Sequence, residues 1–279
     1  MTKTMEKYED TYKTENHFSF GKNWKRFLES LDDEKINEAK KSLVDFLGGE
    51  DKIRGKTFVD IGCGSGLFSL AAFLLGASRV VSVDVDDFSL ECAKFLNKKH
   101  GNPKNWEIKK GSALDKSFIK ELGVFDIVYS WGVLHHTGDM WKAIENVSAV
   151  VSEGGIFFLA IYNKFTISFY GGTSDTWVKI KRFYNQSPSI VKSIFNVGYI
   201  AYILFLRLLL LKNPILYVRN YKTFRGMSFY TDIKDWLGGY PYEFAAPDEI
   251  TNFLGERKLY CYKMIFRNGT GCNEYLFKK

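Results

Sequence analysis

From Asp33 to Leu47 the apolar residues Ile36, Ala39, Leu43, Val44 and Leu47 recur at three- and four-residue steps, and Gly48-Gly49 closes the run. That spacing predicts an amphipathic helix. Beyond it, short apolar runs alternate with helical stretches. Thr57–Ile61, Arg79–Val83, Trp106–Lys109, Phe125–Tyr129 and Ile156–Ile161 read as strands. Leu67–Leu75, Phe88–Asn97 and Asp139–Val151 read as helices between them, the last stopped by Gly154-Gly155. Strands that are apolar throughout are buried on both faces, which is the pattern of a parallel sheet covered by helices. The order over about 105 residues predicts a doubly wound α/β sheet.

The rhythm breaks after Tyr162-Asn163. From Lys164 to about Ala246 there is no strand–helix alternation, and Tyr, Phe and Trp are frequent. Regular patterning resumes with a helix near Pro247–Leu254 and strands near Leu259–Phe266 and Asn273–Phe277. The expected organisation is an N-terminal helical segment or lid (1–50), an α/β domain (51–163 with 246–279) and an insertion after strand five (164–245) that caps an acceptor site.

Composition changes this picture in two places. The 279 residues are 46% apolar and 25% charged, as in an ordinary globular chain, but 16% are aromatic. The net charge of +7 is local. No acid lies between Asp175 and Asp232, a stretch holding Lys179, Lys181, Arg182, Lys192, Arg207, Lys212, Arg219, Lys222 and Arg225. Those nine charges leave the rest of the chain at about −2. Cys63, Cys92, Cys261 and Cys272 show no C-x-x-C spacing, so neither disulfides nor a metal site is suggested. Met1–Asp10 lacks the apolar region of a secretory signal, and a reducing cytoplasm is the expected location.

Candidate chemistry begins at Asp60-Ile61-Gly62-Cys63-Gly64-Ser65-Gly66, where the first strand turns into a helix. Glycine permits the tight turn and lets a ligand lie against bare backbone, while the helix N-terminus adds N–H donors. Asp84 closes the second strand, 18 residues beyond Gly66. An acid there can accept hydrogen bonds from both ribose hydroxyls of a nucleotide. Helix capping is its alternative role, but Asp86 or Asp87 can serve there. Asp115, after the third strand, suits either an adenine contact or a helix cap. These features fit NAD as well as S-adenosylmethionine. The G-x-G-x-G spacing, the acid two residues before its first glycine and the lack of a second phosphate loop favour the latter.

The chain resembles the class I S-adenosylmethionine-dependent methyltransferases. The resemblance lies in Val59–Gly66, in Val83-Asp84, in Phe125-Asp126-Ile127-Val128-Tyr129-Ser130-Trp131-Gly132-Val133-Leu134-His135-His136 and in Glu153–Ile156. It implies a Rossmann-like seven-stranded, mostly parallel sheet with an antiparallel last strand. It further implies that Asp60, Gly62, Cys63, Gly64 and Gly66 lie by the methionine part of the cofactor. Asp84 and Val85 would lie by the ribose, Ser112 and Ala113 by the adenine, and Ser130 and Trp131 beside it. Phe18–Trp24 and Gly271–Glu274 extend the likeness to bacterial members of that superfamily.

Methyl transfer asks the protein to align an acceptor and exclude water, and an oxygen acceptor must also lose a proton. His135 and His136, on the loop after strand four, are the candidate bases. A structural or cofactor-positioning role is the competing reading, and His135 occupies the more general family position. Tyr162 and Asn163, just past strand five, are candidate acceptor contacts. So are Arg225, Trp236, Tyr240 and Tyr242, in a block where aromatic faces with polar tips suit a pocket or lid. That block suits equally a small aromatic subcore. Ile190–Leu211 is strongly apolar but interrupted by Lys192, Asn196 and Arg207. It reads as a helix over the acceptor pocket or a dimer contact, with peripheral membrane contact through 190–225 as the alternative. The expected substrate is a small or lipid-linked acceptor, anionic, sugar-like or phosphate-bearing, and no nucleic-acid module is visible.

Overall fold

The central strands of the sheet alternate their side chains between two apolar layers, and that alternation fixes the architecture. In a computed structural model, described here over residues 31–166, 172–225, 228–267, 269 and 271–279 (without the side chains of 222–225), the chain divides into two compact units. One comprises the described residues through 165 together with 243–279; the other lies within 166–242.

The first unit is a seven-stranded sheet. Its strands are β1 (Thr57–Ile61), β2 (Arg79–Asp84), β3 (Trp106–Lys110), β4 (Phe125–Trp131), β5 (Val151–Tyr162), β6 (Tyr260–Ile265) and β7 (Cys272–Lys278), in the order β3-β2-β1-β4-β5-β7-β6. Strands β1 to β5 are parallel, and β7 runs antiparallel to both β5 and β6. Helices α1 (Asp33–Leu47), α2 (Leu67–Leu74) and α3 (Asp87–Lys99) bury Leu43, Leu70 and Leu96 with Phe58, Val80 and Ile127 on one face. Helices α4 (Lys116–Glu121), α5 (Met140–Ser148) and α10 (Pro247–Gly255) bury Ile119, Ile144 and Ile250 with Val59, Val81 and Val128 on the other. Neighbouring residues of one strand thus serve opposite layers, so both faces are covered. Asp32 caps α1 by accepting from Lys35 N–H, and Gly48 ends it with φ of 88°.

Two expectations need correction. Helix α5 stops at Ser148, and Gly154-Gly155 lies inside β5 rather than ending the helix. The β4–β5 register shifts between Phe125 and Ile127, which the flexible glycine pair accommodates. Helix α1 is a layer of the core, with Ile36, Ala39, Leu43, Phe46 and Leu47 all buried, and so is no lid. Residues 1–30 of the expected lid, including Phe18–Trp24, lie outside the described residues.

The second unit is helical: α6 (Ser174–Gln186), α7 (Ser189–Leu209), α8 (Pro214–Arg225) and α9 (Phe229–Gly238). Its aromatic residues pack on one another, with Trp177 against Trp236 (5.1 Å between centroids) and against Tyr199 (5.5 Å).

A buried amide pair ties β7 to the end of β5. Asn273 Nδ2 donates to Asn163 Oδ1 (3.1 Å) and to the Tyr275 hydroxyl (3.2 Å), while its Oδ1 accepts from Arg267 N–H (2.8 Å). Asn273→Ala should lower unfolding free energy by about 2–4 kcal/mol, because several buried polar groups lose partners together. Urea unfolding is the measurement. The same substitution should cost less in an Asn163→Ala background.

Candidate active site

The carboxyl ends of β1, β2, β4 and β5 share one edge of the sheet because the strands are parallel, and the order reverses between β1 and β4. A doubly wound sheet opens its crevice at such a point. The first wall is the β1–α2 loop. Gly62 and Cys63 N–H both donate to the carbonyl of Val83 (2.8 and 2.9 Å), which folds the loop back on β2. Gly62, Gly64 and Gly66 have φ of 78°, 53° and 77°, a region costly for other residues. A methyl group on Gly62 would come within 2.3 Å of Val133, and one on Gly66 within 2.9 Å of the Ala93 backbone. Bare backbone is therefore required twice: once against the β4 loop and once where α2 meets α3.

Asp84 holds this loop. Its Oδ2 accepts from Gly64 N–H and its Oδ1 from Asp86 N–H, both at 2.9 Å. Each oxygen keeps acceptor capacity beyond these bonds. Asp84 caps no helix: Asp86 does so by accepting from Ser89 N–H. Burial raises the Asp84 pKa to about 6, against the lowering effect of its backbone hydrogen bonds. Val85, next along, is half-buried.

Asp60 lies at the end of a buried polar chain. Trp106 Nε1–H donates to Ser82 Oγ (2.8 Å), Ser82 to Ser69 Oγ (2.7 Å), and Ser69 to Asp60 Oδ2 (2.7 Å). Every donor points toward the carboxylate. Burial still raises the Asp60 pKa to about 7; Ser69 lowers it and the Asp84 charge raises it. Ser69, Ser82 and Trp106 were absent from the sequence reading of the site, although a lone serine in each of two apolar runs is the signal that marks them. Burial also pushes the Cys63 thiol well above its ordinary range.

The other proposed cofactor contacts differ in what they do. Ser112 Oγ accepts from Leu114 N–H and the Ala113 carbonyl accepts from Asn146, which shapes the β3–α4 loop. Asp115 caps α4, accepting from Ser117 and Phe118 N–H. Ser130 is fully buried and donates to the Ile61 carbonyl (3.0 Å), joining β4 to β1; Trp131 beyond it is 46% exposed.

At the ends of β4 and β5 three rings meet. His135 lies 4.0 Å from the Tyr162 ring and 4.5 Å from His136, centroid to centroid, and His136 lies 5.5 Å from Tyr162. His135 is fully buried; its Nδ1 accepts from Tyr162 N–H (3.4 Å) and its carbonyl from Glu243 N–H (2.9 Å). Glu243, the last residue of the aromatic block that sequence ascribes to a pocket or lid, accepts from Gly138 and Met140 N–H at the start of α5 (3.0 Å each). Burial raises its pKa. His136 and Tyr162 are half-buried.

The remaining acceptor candidates divide. Asn163 is buried, with its amide bonded to Asn273 and to the Arg267 carbonyl (3.1 Å each), a structural tie rather than a pocket contact. The Arg225 side chain lies outside the described residues. Tyr240 is half-buried in the helical unit. Trp236 and Tyr242 form part of that unit's own core, 5.8 Å apart, with Lys181 Nζ 3.9 Å and 4.8 Å from their ring centroids. The aromatic density of this block therefore builds a subcore. Lys181 is fully buried, donates to the Trp236 carbonyl, and has its pKa lowered well below the usual lysine range by burial. One of the nine charges counted from the sequence is thus enclosed rather than at the surface.

Residues 52–201 match a family model described as a methyltransferase domain, more than half of the chain. The chain belongs to the S-adenosylmethionine-dependent methyltransferases. Over 121 residues it is 32% identical to a ubiquinone biosynthesis O-methyltransferase of Methylobacterium sp. (strain 4-46), a match covering 43% of this chain and 47% of that protein. Over 56 residues it is 50% identical to a ribosomal protein L11 methyltransferase of Alteromonas mediterranea, covering 20% of this chain and 19% of that one. The matches thus span about half or less of these relatives. The fold resembles magnesium protoporphyrin IX methyltransferase of Synechocystis PCC 6803, solved with bound S-adenosylhomocysteine (TM-score 0.51, 13% identity, 87% of this chain and 82% of that one). It also resembles PKMT2 of Rickettsia typhi in complex with the same compound (TM-score 0.53, 14% identity, 81% and 49%).

The residues present fit S-adenosylmethionine. The methyltransferase offers a bare-backbone loop, the N-terminus of α2 and, at the tip of β2, a carboxylate with acceptor capacity left. Ionised Asp84 and Asp60 suit a ligand with hydroxyls and positive charge. Asp84→Ala should weaken cofactor binding by about 1–3 kcal/mol in calorimetry. Both pKa values are raised in the free protein, so a cationic ligand binds best once the acids have ionised. Affinity should fall about tenfold from about pH 8 to about pH 6. A flat profile would contradict the assignment of the two acids.

Proposed function

We propose that this methyltransferase transfers a methyl group to an oxygen of a small or lipid-linked acceptor that is anionic, sugar-like or phosphate-bearing. The observation that carries the reading is the shared edge: the Asp84-held loop and the His135–His136–Tyr162 ring cluster both stand at carboxyl ends of parallel strands. S-adenosylmethionine, when bound, supplies an electrophilic methyl group. The protein's own residues then bind the adenosyl part, orient the acceptor and accept one proton.

The two histidines take different parts in this reading. His135 is held at its ring nitrogen and its carbonyl, so it is a positioning residue that sets Tyr162 and Glu243. His136 is half-buried beside Tyr162 and is the side chain suited to accept the hydroxyl proton. The O-methyltransferase relative supports an oxygen acceptor, and the cation-rich stretch 179–225 supports an anionic one. An acceptor carried on a lipid would be met at a membrane surface.

Incubation with a cell extract and S-adenosylmethionine labelled in its methyl group, followed by mass identification of the product, tests the proposal. An O-methylated anionic metabolite or lipid is expected. His136→Ala should lower kcat about 10²-fold with unchanged cofactor affinity. A loss below about threefold would leave His136 structural and favour methylation at nitrogen, carbon or sulfur.

A further inference from the structure

Helix α7 presents an apolar stripe to solvent. Ile190, Ile194, Val197, Ala201, Phe205 and Leu208 follow at steps of four, three, four, four and three residues, which places them on one side of the helix. All six are exposed, Ile190 by 76%. The opposite side packs within the helical unit: Asn196 Oδ1 accepts from the Tyr184 hydroxyl (3.0 Å), Tyr199 meets Trp177, and Ile203 is buried. The stripe continues into the α7–α8 turn and the start of α8, where Leu211 is 96% and Ile215 78% exposed. The guanidinium of Arg207 stacks on the Tyr217 ring (3.2 Å to the centroid), so the turn is braced rather than loose.

Water does not favour a continuous apolar face of this kind, and an exposed patch of this extent marks a surface that docks. The charges beside it choose the occupant. Lys212, in the turn that follows α7, and Arg219, on α8, are exposed, and no acid occurs between Asp175 and Asp232. Asp232 itself is engaged by the Tyr221 hydroxyl. A second copy of this chain would bring the same cations to the seam. An anionic bilayer instead offers hydrocarbon to the stripe and phosphates to the cations.

Length alone would let this helix cross a membrane: it has 21 residues, and it meets the length and hydropathy of a span. Its neighbours forbid that. Helix α6, packed on its inner side, carries Asp175, Lys179, Arg182, Asn185 and Gln186. Immersing α7 fully would take these groups into hydrocarbon. We propose that α7 and the α7–α8 turn lie in the plane of an anionic lipid surface, with the Ile190–Leu208 stripe embedded and the opposite side attached to the protein. The argument rests on this unit's own surface, and not on the acceptor assigned above.

Flotation of the full chain with phosphatidylcholine vesicles containing about one-third phosphatidylglycerol tests it. Binding is expected to exceed that to pure phosphatidylcholine by about tenfold, and to weaken as salt rises. The triple variant Ile194→Glu, Phe205→Glu, Leu208→Glu should lose about tenfold or more while keeping its far-ultraviolet circular dichroism and its affinity for S-adenosylhomocysteine. Lys212→Glu with Arg219→Glu, at positions exposed to solvent, should weaken binding only to the anionic vesicles. Failure of the wild type to float, or equal flotation of the triple variant, overturns the proposal. So does a dimer in vesicle-free solution that the triple variant dissociates, since a second copy would then cover the stripe. Resistance to alkaline carbonate extraction would show a spanning helix and overturn it as well. None of these outcomes depends on methyl transfer, so the catalytic reading stands or falls separately.

Discussion

The carboxylate of Asp84 receives two backbone N–H groups, one from the glycine loop after β1 and one from the start of its own loop after β2. That pair of bonds makes the crevice. It draws the β1–α2 loop across the end of β2, where the Val83 carbonyl takes two further N–H groups. The glycines at 62 and 66 exist to let the loop come that close, against Val133 on one side and Ala93 on the other. The cost is a buried acid whose charge is held by backbone dipoles alone, and its raised pKa records that cost. On the proposed assignment, a ligand with hydroxyls and a positive charge would favour the ionised form of both Asp84 and Asp60. Stability and recognition are here one electrostatic arrangement.

The sheet domain was legible because its signals are periodic and local. Asp33–Leu47 could be placed to the residue from its spacing and its Gly48 stop, and Gly62–Gly66 with Asp84 marked the crevice by type and position. What escaped notice depends on contacts distant in sequence. Glu243 reaches the β4 loop from more than a hundred residues away, and no local pattern announces an acid that braces Gly138 and Met140. The Trp106–Ser82–Ser69–Asp60 chain joins three strands and a helix of the sheet domain. Gly154-Gly155 misled because a glycine pair serves a bulged strand as readily as a helix end.

The helical unit was legible only in part. Its aromatic density suited a ligand pocket and a subcore alike, and the packing of Trp177, Trp236 and Tyr242 around Lys181 favours the subcore. Lys181, one of the nine charges counted from sequence, is enclosed, and burial lowers its pKa. Among the described side chains, Lys179, Arg182, Lys212 and Arg219 are exposed on this unit. The unit therefore has two apolar faces, one turned to its own core and one turned outward.

The central claim is that the Asp84-held loop accepts an adenosyl sulfonium or its product rather than a dinucleotide. Titration calorimetry of the full chain with S-adenosylhomocysteine and, separately, with NADH measures this directly. Saturable binding of the first at one site, and none of the second, is the predicted result. Heat from NADH alone, or from neither compound, would contradict the account.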